Sequence, residues 1–391
     1  MRTIYIFDEH QSSCNNGIGT YIRELNACLS DTEYKIIKIS CNADVDEFEI
    51  DTIRGVIYFP QFQYGNFTDN SEAISTILAL HILDDTNNLF IINHSPSNQL
   101  LIEMKEVFPK SKFLFVIHDM CWTAQLMGDS KLLLSTEDYA LKIRIEQEKE
   151  MIDIVDYVVC LNNETYKVIK DIYSIKTEGK VFVISNGLSN DKKCGSDRNT
   201  IMRELYLDRD EPLVLFVGRL TYAKGLKVLI DAFEIVLKTI PKMRLVLVGT
   251  HDPLFARVSI SSRLASRIIF TGHISKEELS KWYTVSDIGV IPSFSEQCSF
   301  VAIEMMMYSL AIIYADSFGL RCMFDNGNDG CIVMRNENFT ENLASIIIEL
   351  NNNNELRQKF QHNAANSYTK KYSSEIMRRN YITMLNKIYD N

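Results

Sequence analysis

Short runs of β-branched and aromatic residues alternate with longer stretches whose apolar positions recur every three or four residues, along the whole chain. The first series of runs predicts strands at Thr3–Phe7, Tyr34–Ile39, Gly55–Phe59, Leu89–Asn93, Lys112–Ile117, Tyr157–Leu161 and Val181–Ile184. Helical spacing falls between them, notably over Gly19–Leu29, Ser71–Leu83 and Thr136–Ile154. A second series follows at Leu213–Gly218, Arg244–Gly249, Arg267–Thr271, Ile288–Pro292, Ala311–Tyr314 and Gly330–Val333. Between the two lies a polar, small-residue stretch that reads as a linker, residues 188–199. Such strand–helix alternation predicts α/β domains with mostly parallel, doubly wound sheets, one over residues 1–187 and one over 200–372. Asn351–Asn354 reads as a turn between helices. The last helix places Met377, Tyr381, Met384, Leu385 and Ile388 on one face.

With 391 residues, 46% of them hydrophobic, the chain can bury two ordinary cores. It contains no run of eighteen apolar residues, so no transmembrane helix or stable membrane insertion is expected. The opening M-R-T-I-Y-I-F-D-E-H reaches acidic residues too early for a signal peptide and reads as a strand. Nine cysteines, an odd number without a C-x-x-C pair, favour free thiols and a cytoplasmic setting. Met1–Asn186 holds 16 Lys and Arg against 28 Asp and Glu, a balance of −12, while the remainder holds 25 against 23. The acidic first half argues against a nucleic-acid partner. The seven histidines show no metal-ligand spacing, and Asp44-x-Asp46 and Asp208-x-Asp210 sit in polar segments, so no metal site is expected.

Candidate chemistry concentrates in the second series. From Pro292 to Glu304 the chain reads P-S-F-S-E-Q-C-S-F-V-A-I-E: a carboxylate on a loop, a helix start, and a second carboxylate on the helix. Amides at a helix N-terminus, here Cys298, Ser299, Phe300 and Val301, attract phosphate. Glu304 and Glu296 could accept from the ribose and sugar hydroxyls of a nucleotide-sugar. Upstream, the strand ending at Gly218 is followed by Arg219 and Lys224 ahead of a helix with Leu226, Leu229, Ile230, Phe233, Leu237 and Ile240 at helical spacing. Two cations at a helix start oppose its dipole, and an anionic ligand would explain them. In the first half, Gly17-x-Gly19 lacks the third glycine of a dinucleotide fingerprint, because Ile22 stands there. His118, before Asp119, closes an apolar strand, where a polar group could stabilise charge at a reacting centre.

Taken in order, G-R-L-x-x-x-K-G-L and S-x-x-E-x7-E resemble the retaining, GT-B-fold glycosyltransferases of family 4. Asn16–Leu25, Phe113–Asp119 and Val183–Gly187 resemble that family's glycine-rich loop, its strand ending in His-Asp and its I-x-N-G segment. The resemblance implies two Rossmann-like domains facing a cleft, with a tail helix over about 373–391 completing the first. It implies a nucleotide-diphosphate-sugar donor, UDP-linked by preference, carrying a hexose or N-acetylhexosamine. Arg219 and Lys224 would hold the diphosphate, and backbone near His273 and Ile274 the base. Gly17, Gly19, Gly218 and His118 would line the cleft. No cofactor or metal is implied. The acidic first half favours a soluble acceptor, a peptide, protein or small glycan, and self-association is left open. Several positions depart from the family: Cys298-Ser299 and Ser309 stand where glycines are usual, Ala311 for a proline and Cys322 for a glutamate. These departures keep two alternatives in view, an epimerase or phosphorylase on the same fold and a non-catalytic donor-binding subunit.

Overall fold

A computed structural model of the chain describes residues 1–10, 17–65, 69–95, 97–191, 197–250 and 261–390. Two compact units emerge: Met1–Thr123 with Ser130–Gly187 and Ser374–Asn391, and Ala124–Asp129 with Leu188–Ser373. Residues 192–196 of the expected linker, and Asn16 of the glycine-rich segment, lie outside the described residues.

The first unit is built on an eight-stranded sheet: β1 (Thr3–Glu9), β2 (Lys35–Ala43), β3 (Glu49–Asp51), β4 (Val56–Pro60), β5 (Asn88–Ile92), β6 (Lys112–Ile117), β7 (Tyr157–Cys160) and β8 (Val181–Val183), in the order β3-β4-β2-β1-β5-β6-β7-β8. Every pairing is parallel except β3 with β4. The apolar runs follow from burial: β5 is buried along its whole length, as a parallel strand covered on both faces must be. The three-residue β3 was not anticipated, because Glu-Ile-Asp is too short and too acidic to register as a strand.

The helix Gly17–Leu29 starts two residues earlier than its apolar spacing indicates. Tyr139–Ile154 starts three residues later than expected, at the Asp138 cap, whose carboxylate accepts from the Leu141 amide at 3.0 Å. The last helix, Ser374–Asp390, buries the five residues of its expected face. It packs on Gly17–Leu29 within the first unit, where Tyr381 and Tyr21 share a hydrogen bond between hydroxyls and Arg378 donates to the Cys28 carbonyl at 2.9 Å.

The second unit carries a six-stranded, wholly parallel sheet: β9 (Leu213–Val217), β10 (Arg244–Val248), β11 (Ile268–Gly272), β12 (Ile288–Ile291), β13 (Ala311–Ala315) and β14 (Cys331–Val333), in the order β11-β10-β9-β12-β13-β14. The helix Leu226–Thr239 buries Leu226, Leu229, Ile230, Phe233 and Leu237 against it, with Ile240 partly buried beside them. The asparagine tract is a break between Phe339–Asn352 and Asn354–Ser367, with the Asn353 side chain accepting from the Leu356 amide at 3.0 Å. Among the described residues, no helix is long and apolar enough to cross a membrane, and Cys28, Cys41, Cys121, Cys160, Cys298, Cys322 and Cys331 are free thiols.

Ser309, noted above as standing where a glycine is usual, has φ +60 at the end of the helix Phe300–Met307. A left-handed residue closing a helix is ordinarily glycine, since a Cβ there costs about 1–2 kcal/mol. Ser309→Gly should therefore raise stability, by up to about 1 kcal/mol after the greater freedom of glycine in the unfolded chain is counted. A thermal melt checks this, and an unchanged or lower midpoint would show that the serine conformation carries no strain.

Candidate active site

β9 and β12 are neighbours and run parallel, so the turns leaving their C-terminal ends lie side by side at the edge where open α/β sheets take ligands. Gly225 caps the helix after β9 at φ +72, and a Cβ there would lie 2.1 Å from the Pro292 carbonyl oxygen. Only glycine permits that approach. The Phe294 amide donates to the Ala223 carbonyl at 3.0 Å, tying the second turn to the first. With the backbones locked, Lys224 Nζ reaches Glu296 Oε1 at 2.6 Å, the two side chains only 26% and 15% exposed.

Glu296 is also fixed from its other side. Its amide donates to the Phe318 carbonyl at 3.1 Å, and a Cβ on Gly319 would lie 1.9 Å from the Glu296 carbonyl oxygen. Arg219 is exposed on the same turn as Lys224. Sequence reasoning gave the lysine to a phosphate and the glutamate to a sugar, and did not foresee that they pair with each other.

The helix Phe300–Met307 begins at Ser299, whose hydroxyl accepts from the Ala302 amide at 3.3 Å. The Ser299 amide itself points to Met323 Sδ at 3.2 Å. The expected cradle over Cys298–Val301 is corrected accordingly: the Ser299 amide is committed inside the protein, and the half-buried residues Phe300 and Val301 form that first turn. One turn on, Glu304 Oε2 accepts from the Tyr283 hydroxyl at 2.7 Å. Burial pushes the Tyr283 phenol well above its ordinary value, with Glu304 adding to the effect, so it remains a donor. Tyr283 stacks on Tyr308 at 5.1 Å between centroids, and both line a pocket with Glu304, Lys276 and Ser280. His273 and Ile274 lie between Gly272 and the helix Lys276–Val285, which Ser275 and Glu278 open with a reciprocal capping box. Gly218 follows β9, its amide donating to the Val248 carbonyl at 2.9 Å.

Arg335 was missed entirely, since nothing around it in the sequence suggests chemistry. Its guanidinium donates to the backbone carbonyls of Asp316 at 2.8 Å, Met127 at 2.7 Å and Phe294 at 3.0 Å, and lies over the Phe294 ring. It thereby holds the strand-end loop two residues before Glu296, using the segment 124–129 that belongs to this unit. Its role shows only in the folded chain, where it reaches segments distant in sequence.

Within the first unit, Asn93 donates from Nδ2 to the Phe7 carbonyl at 3.0 Å, which turns its oxygen toward His118 Nε2 at 3.1 Å. His118 must then carry its proton on Nε2, leaving Nδ1 as an acceptor. Desolvation, with His94 nearby, pushes the imidazole down to about 3, so it is neutral at physiological pH. Gly17 and Gly19 lie in the first turn of Gly17–Leu29. Behind the His118 loop, the buried Glu148 accepts from the Cys121 amide at 2.9 Å and from the Tyr173 hydroxyl. Burial pushes its carboxyl up to about 7, although these hydrogen bonds pull the other way. No group of three or more potential metal ligands occurs among the described residues.

The two shifts act on stability in opposite senses. A histidine held neutral costs stability as pH falls below its unfolded value near 6.5, through the range down to about 3. A carboxyl raised from 4.5 to about 7 costs stability as pH rises through that window. Glu148→Gln removes the second effect alone. Its melting temperature relative to wild type should therefore improve between pH 5 and pH 8, and a constant difference across that range would show that Glu148 ionises normally.

Residues 197–367 match the family described as Glycosyl transferases group 1. An uncharacterized glycosyltransferase of Methanocaldococcus jannaschii is 32% identical over 149 residues, 37% of this chain and 38% of that protein. D-inositol 3-phosphate glycosyltransferase of Thermobispora bispora is 26% identical over 202 residues, 49% and 47% of the two chains. The chain thus spans about half or less of the curated relatives it matches. Among solved structures, sucrose-phosphate synthase from Thermosynechococcus elongatus superposes over 100% of both chains with a TM-score of 0.79 at 19% identity. Anabaena HepE in complex with UDP and glucose covers 98% of this chain and 99% of its own, with a TM-score of 0.73 at 15% identity. Residues 197–367 of the second unit thus match the Glycosyl transferases group 1 domain, on a chain whose two Rossmann-like domains have the GT-B fold.

Proposed function

We propose that the protein is a retaining glycosyltransferase of family 4 that moves a hexose or N-acetylhexosamine from a UDP-sugar to a hydroxyl acceptor without a metal. The observation that carries this reading is the Lys224–Glu296 pair at adjoining strand ends, with Glu304 and the Phe300 and Val301 amides on the helix that follows. A diphosphate resting on those amides would draw Lys224 away from Glu296, with Arg219 as the second cation. Glu296, released, would accept from hydroxyls of the transferred sugar. Glu304, already oriented by Tyr283, would accept from the ribose, and the backbone at His273 and Ile274 would face the base. Neutral His118 could accept a hydrogen bond at Nδ1 from the acceptor. As the diphosphate leaves, the acceptor oxygen would attack the same face of the sugar, its proton passing to the departing phosphate. Support for the donor class comes from the UDP-bound relative of like fold and from the group 1 domain.

A thermal-shift series against UDP-, GDP-, ADP- and dTDP-sugars tests the donor, since ligand at a hundred times its dissociation constant adds about 2.7 kcal/mol. Lys224→Ala should then lower turnover by about two to three orders of magnitude, as loss of a charge-assisted contact to the leaving group would. Product NMR should show the donor's anomeric configuration, unchanged by EDTA. An inverted product, or wild-type turnover in the lysine variant, would remove the mechanism.

A further inference from the structure

A cavity of about 730 Å³ opens in the first unit, lined by Asp44, Asp46, Phe59, Phe62, Tyr64 and Ile77 among residues that all fall between 44 and 77. Its volume suits a small-molecule ligand, and it lies at the C-terminal ends of β2 and β4, the edge of a parallel sheet that ordinarily receives one. Its walls are held by side chains behind them. Asn42, itself at φ +53, accepts from the Phe62 amide at 3.2 Å and donates to Glu9 Oε1 at 2.7 Å. Asn70 donates to the Tyr64 carbonyl at 3.1 Å. These bonds hold the backbone at Phe62 and Tyr64.

The polar lining has one sign. Asp44 and Asp46 are acidic, and among the described residues no lysine, arginine or histidine lines the cavity. Asp44 has the Gln61 amide at 3.4 Å as its partner, and Asp46 is exposed. A phosphate brought here would meet two like charges and no counter-charge. An ammonium would meet two carboxylates and the faces of Tyr64 and Phe62, the pairing that recognises organic cations.

We propose that this cavity binds the acceptor, and that the acceptor is a small polyhydroxylated molecule bearing an ammonium group, an aminosugar or aminocyclitol. The proposal rests on the transferase reading above and deepens it. The ammonium is a handle and keeps its proton. A ring hydroxyl of the acceptor forms the new bond to the anomeric carbon as the bond to the diphosphate breaks, and the hydroxyl proton leaves with the diphosphate. The cavity thereby sets this chain apart from the relatives named for inositol 3-phosphate, whose acceptor name carries a phosphate.

Binding measured on the full chain by ligand-observed NMR and calorimetry separates the ideas, using fully deacetylated chitotriose, N-acetylated chitotriose and myo-inositol 3-phosphate as probes. The deacetylated probe should bind at least about tenfold more tightly than the acetylated one, and the phosphate should not bind. Asp44→Asn with Asp46→Asn should remove that preference, while Glu103→Gln with Glu137→Gln, outside the cavity, should keep it. Equal affinity for the two chitotrioses, tighter binding of inositol phosphate, or a preference that survives the Asp44 and Asp46 changes would overturn the proposal. Selective binding of the amine by a protein that takes up no nucleotide-sugar would leave the cavity's specificity standing and overturn the transferase reading instead.

Discussion

The candidate active site depends on two places where backbone meets backbone with no room for a side chain. Gly225 lies against the Pro292 carbonyl and Gly319 against that of Glu296, each at a distance a Cβ would violate outright. Neither contact is itself chemistry. Together they seat the loop after β12 between the turn after β9 and the loop after β13, so that Glu296 can meet Lys224 with little freedom left to either. Arg335 adds a third constraint by gathering three carbonyls, including that of Phe294. A preorganised charge pair needs such a frame, because holding long side chains in one geometry otherwise costs entropy that a partly exposed ion pair does not return.

Much of this was legible in the sequence, and the reasons are physical. Parallel strands buried on both faces must be continuously apolar, so their positions stand out wherever the chain turns β-branched and aromatic. The helix after β9 showed its buried face by spacing alone. Lys224 was visible as a cation at a helix start, where the dipole disfavours it, and Glu296 and Glu304 as carboxylates on either side of another helix start. What stayed hidden was anything set by contacts between distant segments: the Lys224–Glu296 pair, the Ser299 amide turned to Met323, the Tyr283 hydroxyl on Glu304 and the role of Arg335. Arg335 looks like any surface cation until Met127 and Phe294 are brought beside it. β3 was hidden for a different reason, being three residues at a sheet edge with only β4 to pair with.

The departures from the family pattern divide along the same line. Ser299 is accommodated because a serine is a good helix cap, and its hydroxyl takes over an amide that a glycine would have left open. Ser309 is accommodated only by adopting a glycine's conformation, and its cost falls on stability, away from the charge pair. Cys322 is exposed, with its amide on the Gly319 carbonyl at 3.0 Å, so the segment that carries it keeps its turn without the glutamate. None of the three loosens the contacts at Gly225 or Gly319.

That pairing also bears on how a charged ligand could enter. Lys224 and Glu296 neutralise each other, so the partly buried carboxylate has its counter-charge before anything binds. A diphosphate that recruited the lysine would leave the carboxylate short of a partner, a costly state unless the same ligand also donated to it. A ligand carrying both an anionic group and hydroxyl donors meets both demands at once, and one carrying only the anion meets one. On the proposed reading, a phosphate with a sugar attached would therefore be favoured over a phosphate alone, through the cost of an unpaired carboxylate as much as through any favourable contact.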